Sequence, residues 1–266
     1  MTDIAQQYLD LIGDWQDPNP RPEIVEHEGY YVVRDDLIPV GTKARGGDYI
    51  IGHDPANKDV QEWVYGSSPA TGYAQVSLPY VCNKYNKKAV IFMAERSMDK
   101  LHPYQKRGLE LGAEYHWVPN GMLNVTQKRA KDYVEKSPDT RRLLPIGLDH
   151  PTVLGCIIRS ARTLSIQPDE VWSVGSSGTL SRALQMAFPN ATVHVVSSGG
   201  HKMGTSNLGR AIFHPTKYRF DQEVRKEELP PFPSPPAYDA KAWAVMKRYY
   251  EENDKPKTVL FWNVAA

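Results

Sequence analysis

The run Glu170-Val-Trp-Ser-Val-Gly175-Ser-Ser-Gly178-Thr-Leu-Ser-Arg-Ala-Leu-Gln185 carries the clearest chemistry in the sequence. Val171 to Val174 reads as a buried parallel strand, Gly175 to Thr179 as a turn, and Leu180, Leu184, Ala187 and Phe188 recur at helical spacing. A strand that passes through small residues straight into a helix leaves backbone N–H groups open at the positive end of that helix. A phosphate or carboxylate binds well there. Gly175 and Gly178 let the backbone approach the anion, and Ser176, Ser177 and Thr179 add hydroxyl donors. The spacing is neither a Walker A loop nor a GxGxxG fingerprint, which counts against nucleotide folds of those kinds. The alternative is an ordinary strand–turn–helix capped by Ser177 or Thr179.

Two further stretches could act on the same ligand. In Gly41-Thr-Lys43-Ala-Arg45-Gly-Gly47 a lysine enters a helix between small residues, a setting that can point its amine inward; a solvated surface lysine is the alternative. Trp63-Val-Tyr65 reads as a strand ending in Gly66-Ser67-Ser68-Pro69-Ala70-Thr71-Gly72, with a helix from about Tyr73 to Tyr85. That second small-residue turn before a helix could hold a carboxylate through its N–H groups and hydroxyls, or be a plain capped helix.

The elements that must position these turns alternate. Residues 2–15 read as an amphipathic helix with Ile4, Tyr8, Leu11 and Ile12 on one face, closed by a Pro-rich stretch; Tyr30 to Val33 reads as a strand. Strands are expected at Lys88–Ala94, Glu114–Val118, Arg141–Ile146, Ala191–Val196 and Thr258–Trp262. Helices are expected at Leu101–Leu111, Asn124–Glu135 with Asn124 as N-cap, Thr152–Leu164 and Tyr238–Tyr250. Alternation of this kind gives βαβ units, parallel sheets covered by helices, and ligands at the carboxyl ends of the strands, where both small-residue turns lie. From Ser197 to Pro236 the pattern weakens into loop.

Composition bounds the rest. With 266 residues, 41% hydrophobic and 24% charged, the chain can bury a large core as one domain or two coupled lobes. A net charge of +1 predicts no strong attraction to membranes or nucleic acid, although Lys202, Arg210, Lys217 and Arg219 form a local basic segment. Two distant cysteines, Cys82 and Cys156, suit reduced structural thiols. No signal peptide and no run of about 20 apolar residues is visible, so a cytoplasmic protein is expected. His194, His201 and His214 are irregularly spaced and read as structural, and no metal site is expected.

The order of these parts, from about residue 38 to the end, resembles the fold-type II pyridoxal phosphate enzymes, the tryptophan synthase β-like group. Within it the pattern is most similar to aminocyclopropane-carboxylate deaminase and D-cysteine desulfhydrase. The resemblance implies two three-layer αβα lobes with mostly parallel sheets and a cofactor cleft, residues 1–62 and 147–266 forming the large lobe and 63–146 the small one. It implies that Lys43 forms the Schiff base and that Gly175, Ser176, Ser177, Gly178 and Thr179 hold the phosphate. Ser67, Ser68, Ala70 and Thr71 match the substrate-carboxylate turn. Tyr238 with Asp239-Ala-Lys-Ala-Trp243 is similar to a Tyr-x-Gly-Lys-Ala stretch, which makes Tyr238 a second acid/base candidate beside a packed-tyrosine reading. Leu260-Phe-Trp-Asn263-Val264 matches the strand end that faces the pyridine nitrogen, placing Asn263 at the cofactor. Two positions depart: Ala70 stands where the group has Asn, and Val264 where it has a hydroxyl residue. The implied activity is a lyase or deaminase acting on the α-amino group of a small amino acid, as a homodimer. The alternatives are the same chemistry on an amino acid attached to a nucleotide or DNA base, and a non-catalytic α/β protein that binds a phosphorylated ligand.

Overall fold

The structure, a computed structural model, describes residues 4–119, 121–199 and 208–265. The chain divides into two compact units, Met1–Gly46 with Asp149–Ala266, and Gly47–Leu148. The expected mixed α/β class with mostly parallel sheets is the class observed.

The first unit is built on β1 (Ile24–His27), β2 (Tyr30–Arg34), β7 (Glu170–Gly175), β8 (Thr192–Ser197), β9 (Ile212–His214) and β10 (Val259–Asn263). Their order is β1-β2-β10-β7-β8-β9. Only β1 runs antiparallel, as a hairpin with β2; the other neighbours are parallel. Parallel pairing brings the carboxyl ends of β2, β10, β7 and β8 to one edge, with Asn263 in register with Arg34 and Gly175 with Ser197. Val171, Trp172, Ser173 and Val174 of β7 are buried, as a central strand flanked by others must be. Helices α7 (Thr179–Ala187) and α8 (Asp239–Glu252) both pack on β7 and β8, and α7 also packs on α6 (Pro151–Arg162).

The amino-terminal helix is shorter than its periodicity predicts: α1 spans Ile4–Asp10. Its buried residues are Ala5 and, beyond its end, Ile12, while Ile4 and Leu11 are 64% and 51% exposed. The helix approaches α6 closely at its backbone, where a Cβ on Gly155 would lie 2.4 Å from the Tyr8 carbonyl oxygen.

The second unit holds β3 (Glu62–Tyr65), β4 (Lys88–Ala94), β5 (Glu114–Val118) and β6 (Arg141–Leu143) in the all-parallel order β5-β4-β3-β6. Helix α3 (Ala74–Lys84) packs on β4 and on α4 (Pro103–Glu110), and α5 (Leu123–Glu135) packs on β3, β4 and β6. Met122, not Asn124, is the N-cap of α5, and it caps without a side-chain bond. Thr126 in its first turn instead reaches the Gly66 carbonyl at 2.7 Å.

The division between units falls at Gly47 rather than after Glu62, the position expected from the resemblance. Residues from Gly47 onward pack on α3: Asp48 accepts from Lys84 Nζ and Tyr85 Oη, each at 2.9 Å. A Cβ on Gly52 would meet the Tyr85 ring at 2.4 Å. The second division falls between Leu148 and Asp149, two residues past the expected one.

Candidate active site

Lys43 opens the helix Lys43–Gly47 and is half-buried. The turn before it is stitched to the end of β10. Gly41 has φ +65°, and a Cβ there would lie 2.0 Å from the Val264 carbonyl oxygen, so only glycine lets the two backbones meet. The next N–H, of Thr42, donates to that same oxygen at 2.9 Å. The Thr42 hydroxyl donates to Asp35 Oδ2 at 2.8 Å, and Trp262 Nε1 donates to Thr42 Oγ1 at 3.0 Å. Arg45, on the same short helix, is locked against Asp35 at 2.6 Å and Asp17 at 2.7 Å. Lys43 therefore leaves a turn anchored by its neighbours on both sides.

Its amine lies 5.9 Å from the centre of the half-buried Tyr238 ring. Burial lowers its basicity, against the charge of Asp239, which supports the ammonium. Asp239 is fully buried in the first turn of α8. Its Oδ1 accepts from the Val264 N–H at 3.2 Å, and Oδ2 has no partner among the described residues. Burial pushes its carboxyl up to about 8, against the pull of the Val264 N–H, of Lys43 and of the Ala265 N–H. Around neutrality the buried acid thus holds a proton, and the amine near it has an enlarged neutral fraction.

That assignment has a stability consequence. An Asp protonated when folded and ionised when unfolded loses stability as pH rises from about 4 towards 8, because the native state then binds the extra proton. Asp239→Asn keeps an oxygen for Val264 but cannot titrate. The variant is expected to gain on the wild type across that window, reaching roughly 5 kcal/mol at pH 8. Urea unfolding of both proteins at several pH values checks this, and parallel pH slopes would refute it.

The turn after β7 lies on the neighbouring strand of the same sheet edge, next to the end of β10. Gly178 takes φ +81° as the N-cap of α7 and makes no side-chain cap. Ser177 Oγ lies 2.9 Å from Thr179 Oγ1 but 3.5 Å from the Thr179 N–H, too far to be a strong cap. The first-turn N–H groups of α7 are therefore without a side-chain cap among the described residues. Ser176 is exposed, Ser177 half-buried and Thr179 buried.

Asn263 at the end of β10 is fully buried. Its amide donates to Asp36 and to the Pro233 carbonyl, each at 2.8 Å, and its oxygen has no partner among the described residues. The structure thus brings Lys43, Tyr238, Asp239, Asn263 and the Gly175–Thr179 turn to one edge of one unit. Ser67, Ser68, Ala70 and Thr71 belong to the other unit. There the Gln127 amide donates to Ser67 Oγ at 2.9 Å, Gln75 donates to the Ala70 carbonyl, and the Gly72 N–H closes on Pro69 at 2.9 Å. The turn is pinned at three points. Tyr73, the N-cap of helix α3 behind it, makes no side-chain cap.

Other expectations resolve differently. The basic segment is not a free cationic surface among the described residues. Arg210 donates to the carbonyls of Ala191, Phe188 and Gln185, Lys217 pairs with Glu228 at 2.9 Å, and Arg219 pairs with Asp221 at 3.6 Å. His201 and Lys202 lie outside the described residues. His194 and His214 contact each other at 2.8 Å and stack on Trp172, and burial lowers both to about 4. Among the described residues no group of three or more His, Cys, Asp or Glu is placed to hold a metal ion, and no helix is long and apolar enough to cross a membrane.

Asp239 is the functional candidate that sequence reasoning missed. Its only sequence signal is an acid, followed two residues later by Lys241, at the start of a stretch whose other residues, Ala240, Ala242, Trp243 and Ala244, are those of a core.

Solved structures share this fold along nearly the whole chain. An ACC deaminase homologue superposes with a TM-score of 0.82 at 14% identity, covering 100% of this chain and 95% of that one. The processed form of threonine deaminase isoform 2 from Solanum lycopersicum gives 0.72 at 13% identity, covering 100% and 85%. Serine racemase from Dictyostelium discoideum gives 0.66 at 13% identity, covering 98% and 96%. The chain has the type II fold of the pyridoxal phosphate enzymes. That fold agrees with the resemblance read from residue 38 onward. One curated relative, a glycyl-dTMP PLP-dependent decarboxylase of Pseudomonas phage M6, is 25% identical over 214 residues, which is 71% of this chain and 76% of that protein. No family model matches the chain.

Proposed function

We propose that this type II fold chain is a pyridoxal phosphate-dependent lyase that works on the α-amino group of an amino-acid substrate through Lys43. The observation that carries the reading is the partnerless, buried Oδ2 of Asp239 on the sheet edge that also holds the Lys43 amine and the uncapped α7 turn. These residues fit the cofactor. A buried acid with a free oxygen suits a ring nitrogen that exchanges a proton, and open N–H groups at a helix start suit a phosphate. The departure at Val264 is met within the chain, since Asp239 grips the Val264 N–H and presents its own oxygen at that strand end. Bound there, pyridoxal phosphate supplies an electron-accepting ring conjugated to the α-carbon of the substrate.

The residues of the chain do the rest. The Gly175–Thr179 N–H groups, with Ser177 and Thr179, hold the phosphate. Asp239 holds the proton at the ring nitrogen, and Asn263, fixed by Asp36, lies beside it. The Lys43 amine, less basic than in water, would hold the cofactor and, once freed by the amino group of the substrate, would carry a proton to or from the α-carbon. Tyr238, close to that amine, is the second acid/base in this reading, and Ser67, Ser68 and Thr71 with the Ala70 backbone bind the substrate carboxylate. Borohydride reduction followed by peptide mapping tests the assignment. A pyridoxyl mark on Lys43 is expected, and a mark on any other lysine overturns it.

The phage relative favours a second reading, in which the amino acid is attached to a nucleotide. Both readings share the Lys43 chemistry. Product formation from a set of free small amino acids or from a thymidine-linked glycine separates them, because only the true substrate is turned over.

A further inference from the structure

The first turn of α8 buries a second charged side chain, Lys241, two residues beyond Asp239. Its exposure is 0%, and its amine donates to three main-chain carbonyls: Ser198 at 2.7 Å, Arg219 at 2.8 Å and Phe220 at 3.1 Å. Three donors meet three acceptors, so no proton is left over for chemistry on a ligand. Burial brings its basicity down to about 8, opposed by Asp221, which leaves it charged around neutrality.

The carbonyls belong to two segments pressed together. A Cβ on Gly199 would lie 2.7 Å from both the backbone N and the Cα of Phe220. Ser198 also faces the other way, its N–H donating at 2.9 Å to the carbonyl of Gly175, the last residue of β7 before the anion turn. Two hydrogen bonds joined by the Ser198 backbone therefore connect the Lys241 amine to Gly175. In the order β10-β7-β8, α8 reaches both strands that flank β7, grasping the end of β10 through Asp239 and the end of β8 through Lys241.

We propose that Lys241 is a positioning residue for the Gly175–Thr179 anion site, its ammonium fixing the Ser198 peptide and through it the direction in which the turn leaves β7. This role rests on the reading of that turn as the phosphate site. Its signature is selective. A misdirected turn weakens the grip on a phosphate but not on the rest of the cofactor, whereas a purely structural lysine affects both alike.

The test compares pyridoxal 5'-phosphate with pyridoxal, which lacks the phosphate, by absorbance titration of the full chain. Lys241→Met is expected to weaken binding of the phosphorylated compound by about tenfold or more while leaving pyridoxal unchanged. Gly199→Ala, which pushes the same segment away from Phe220, is expected to shift the ratio in the same direction. It decides the matter if Lys241→Met does not fold by far-UV circular dichroism. Equal weakening of both compounds, or an unchanged ratio, overturns the proposal. A wild type that binds neither compound refutes the cofactor reading itself, and the role of Lys241 falls with it.

Discussion

Lys43→Ala is expected to lower turnover by at least about a thousandfold, because in the proposed function one amine would serve as both the covalent anchor and the proton carrier. It should also abolish the visible absorbance that the cofactor acquires when bound to the wild type. Stability is expected to move little. Removing one member of a buried ion pair is harmful when it strands a charge, but Asp239 holds its proton around neutrality, so no charge is stranded. The Lys43 charge draws the Asp239 carboxyl down from a still higher value, so in the variant Asp239 is expected to ionise at higher pH. Unfolding midpoints at pH 7 and single-turnover rates separate the two effects. A variant that keeps a tenth of the wild-type rate would remove Lys43 from the chemistry, and one that fails to fold would recast it as structural.

What could be read from the sequence was local. The β7–turn–α7 unit carries its own signals in one stretch: a central strand apolar almost throughout, glycine at the left-handed Gly178, and helical spacing afterwards. The short edge strands β1 and β9 have four and three residues, too few for a periodic pattern, and neither was expected. The electrostatic parts of the site were hidden for a different reason. Asp239 looks like a helix-start acid until the Val264 N–H is brought to it. Gly41 looks like any turn glycine until the Val264 carbonyl closes on it. Arg210 looks like one more charge of a basic segment until the carbonyls of Gln185 and Phe188 at the end of α7 meet it. In each case the deciding partner lies about twenty or more residues away in sequence, and composition cannot report it.

The same holds for the network beneath Lys43, which supports the second large effect. Asp35 is fully buried and accepts from Thr42 Oγ1, from Arg45 through two nitrogens, and from Trp262 Nε1 at 3.2 Å, 227 residues away. Arg45 is 1% exposed, with Asp17 and the Pro20 carbonyl as its remaining partners. Asp35→Ala leaves the guanidinium buried with half of its neutralisation gone, and is expected to destabilise the protein by about 3–5 kcal/mol. For a chain of this size that lowers Tm by roughly 10 °C. Because Thr42 and Arg45 flank Lys43, cofactor affinity should fall with stability. The penalty comes from stranding a charge rather than from losing an attractive pair. Replacing Asp35 and Arg45 together with apolar groups of similar volume, as Asp35→Leu with Arg45→Met, removes the stranded guanidinium but leaves Asp17 without its cationic partner, and is therefore expected to recover only part of the lost stability while cofactor affinity stays low. If the single variant loses less than about 1 kcal/mol in urea unfolding, the ion pair does not brace the Lys43 turn.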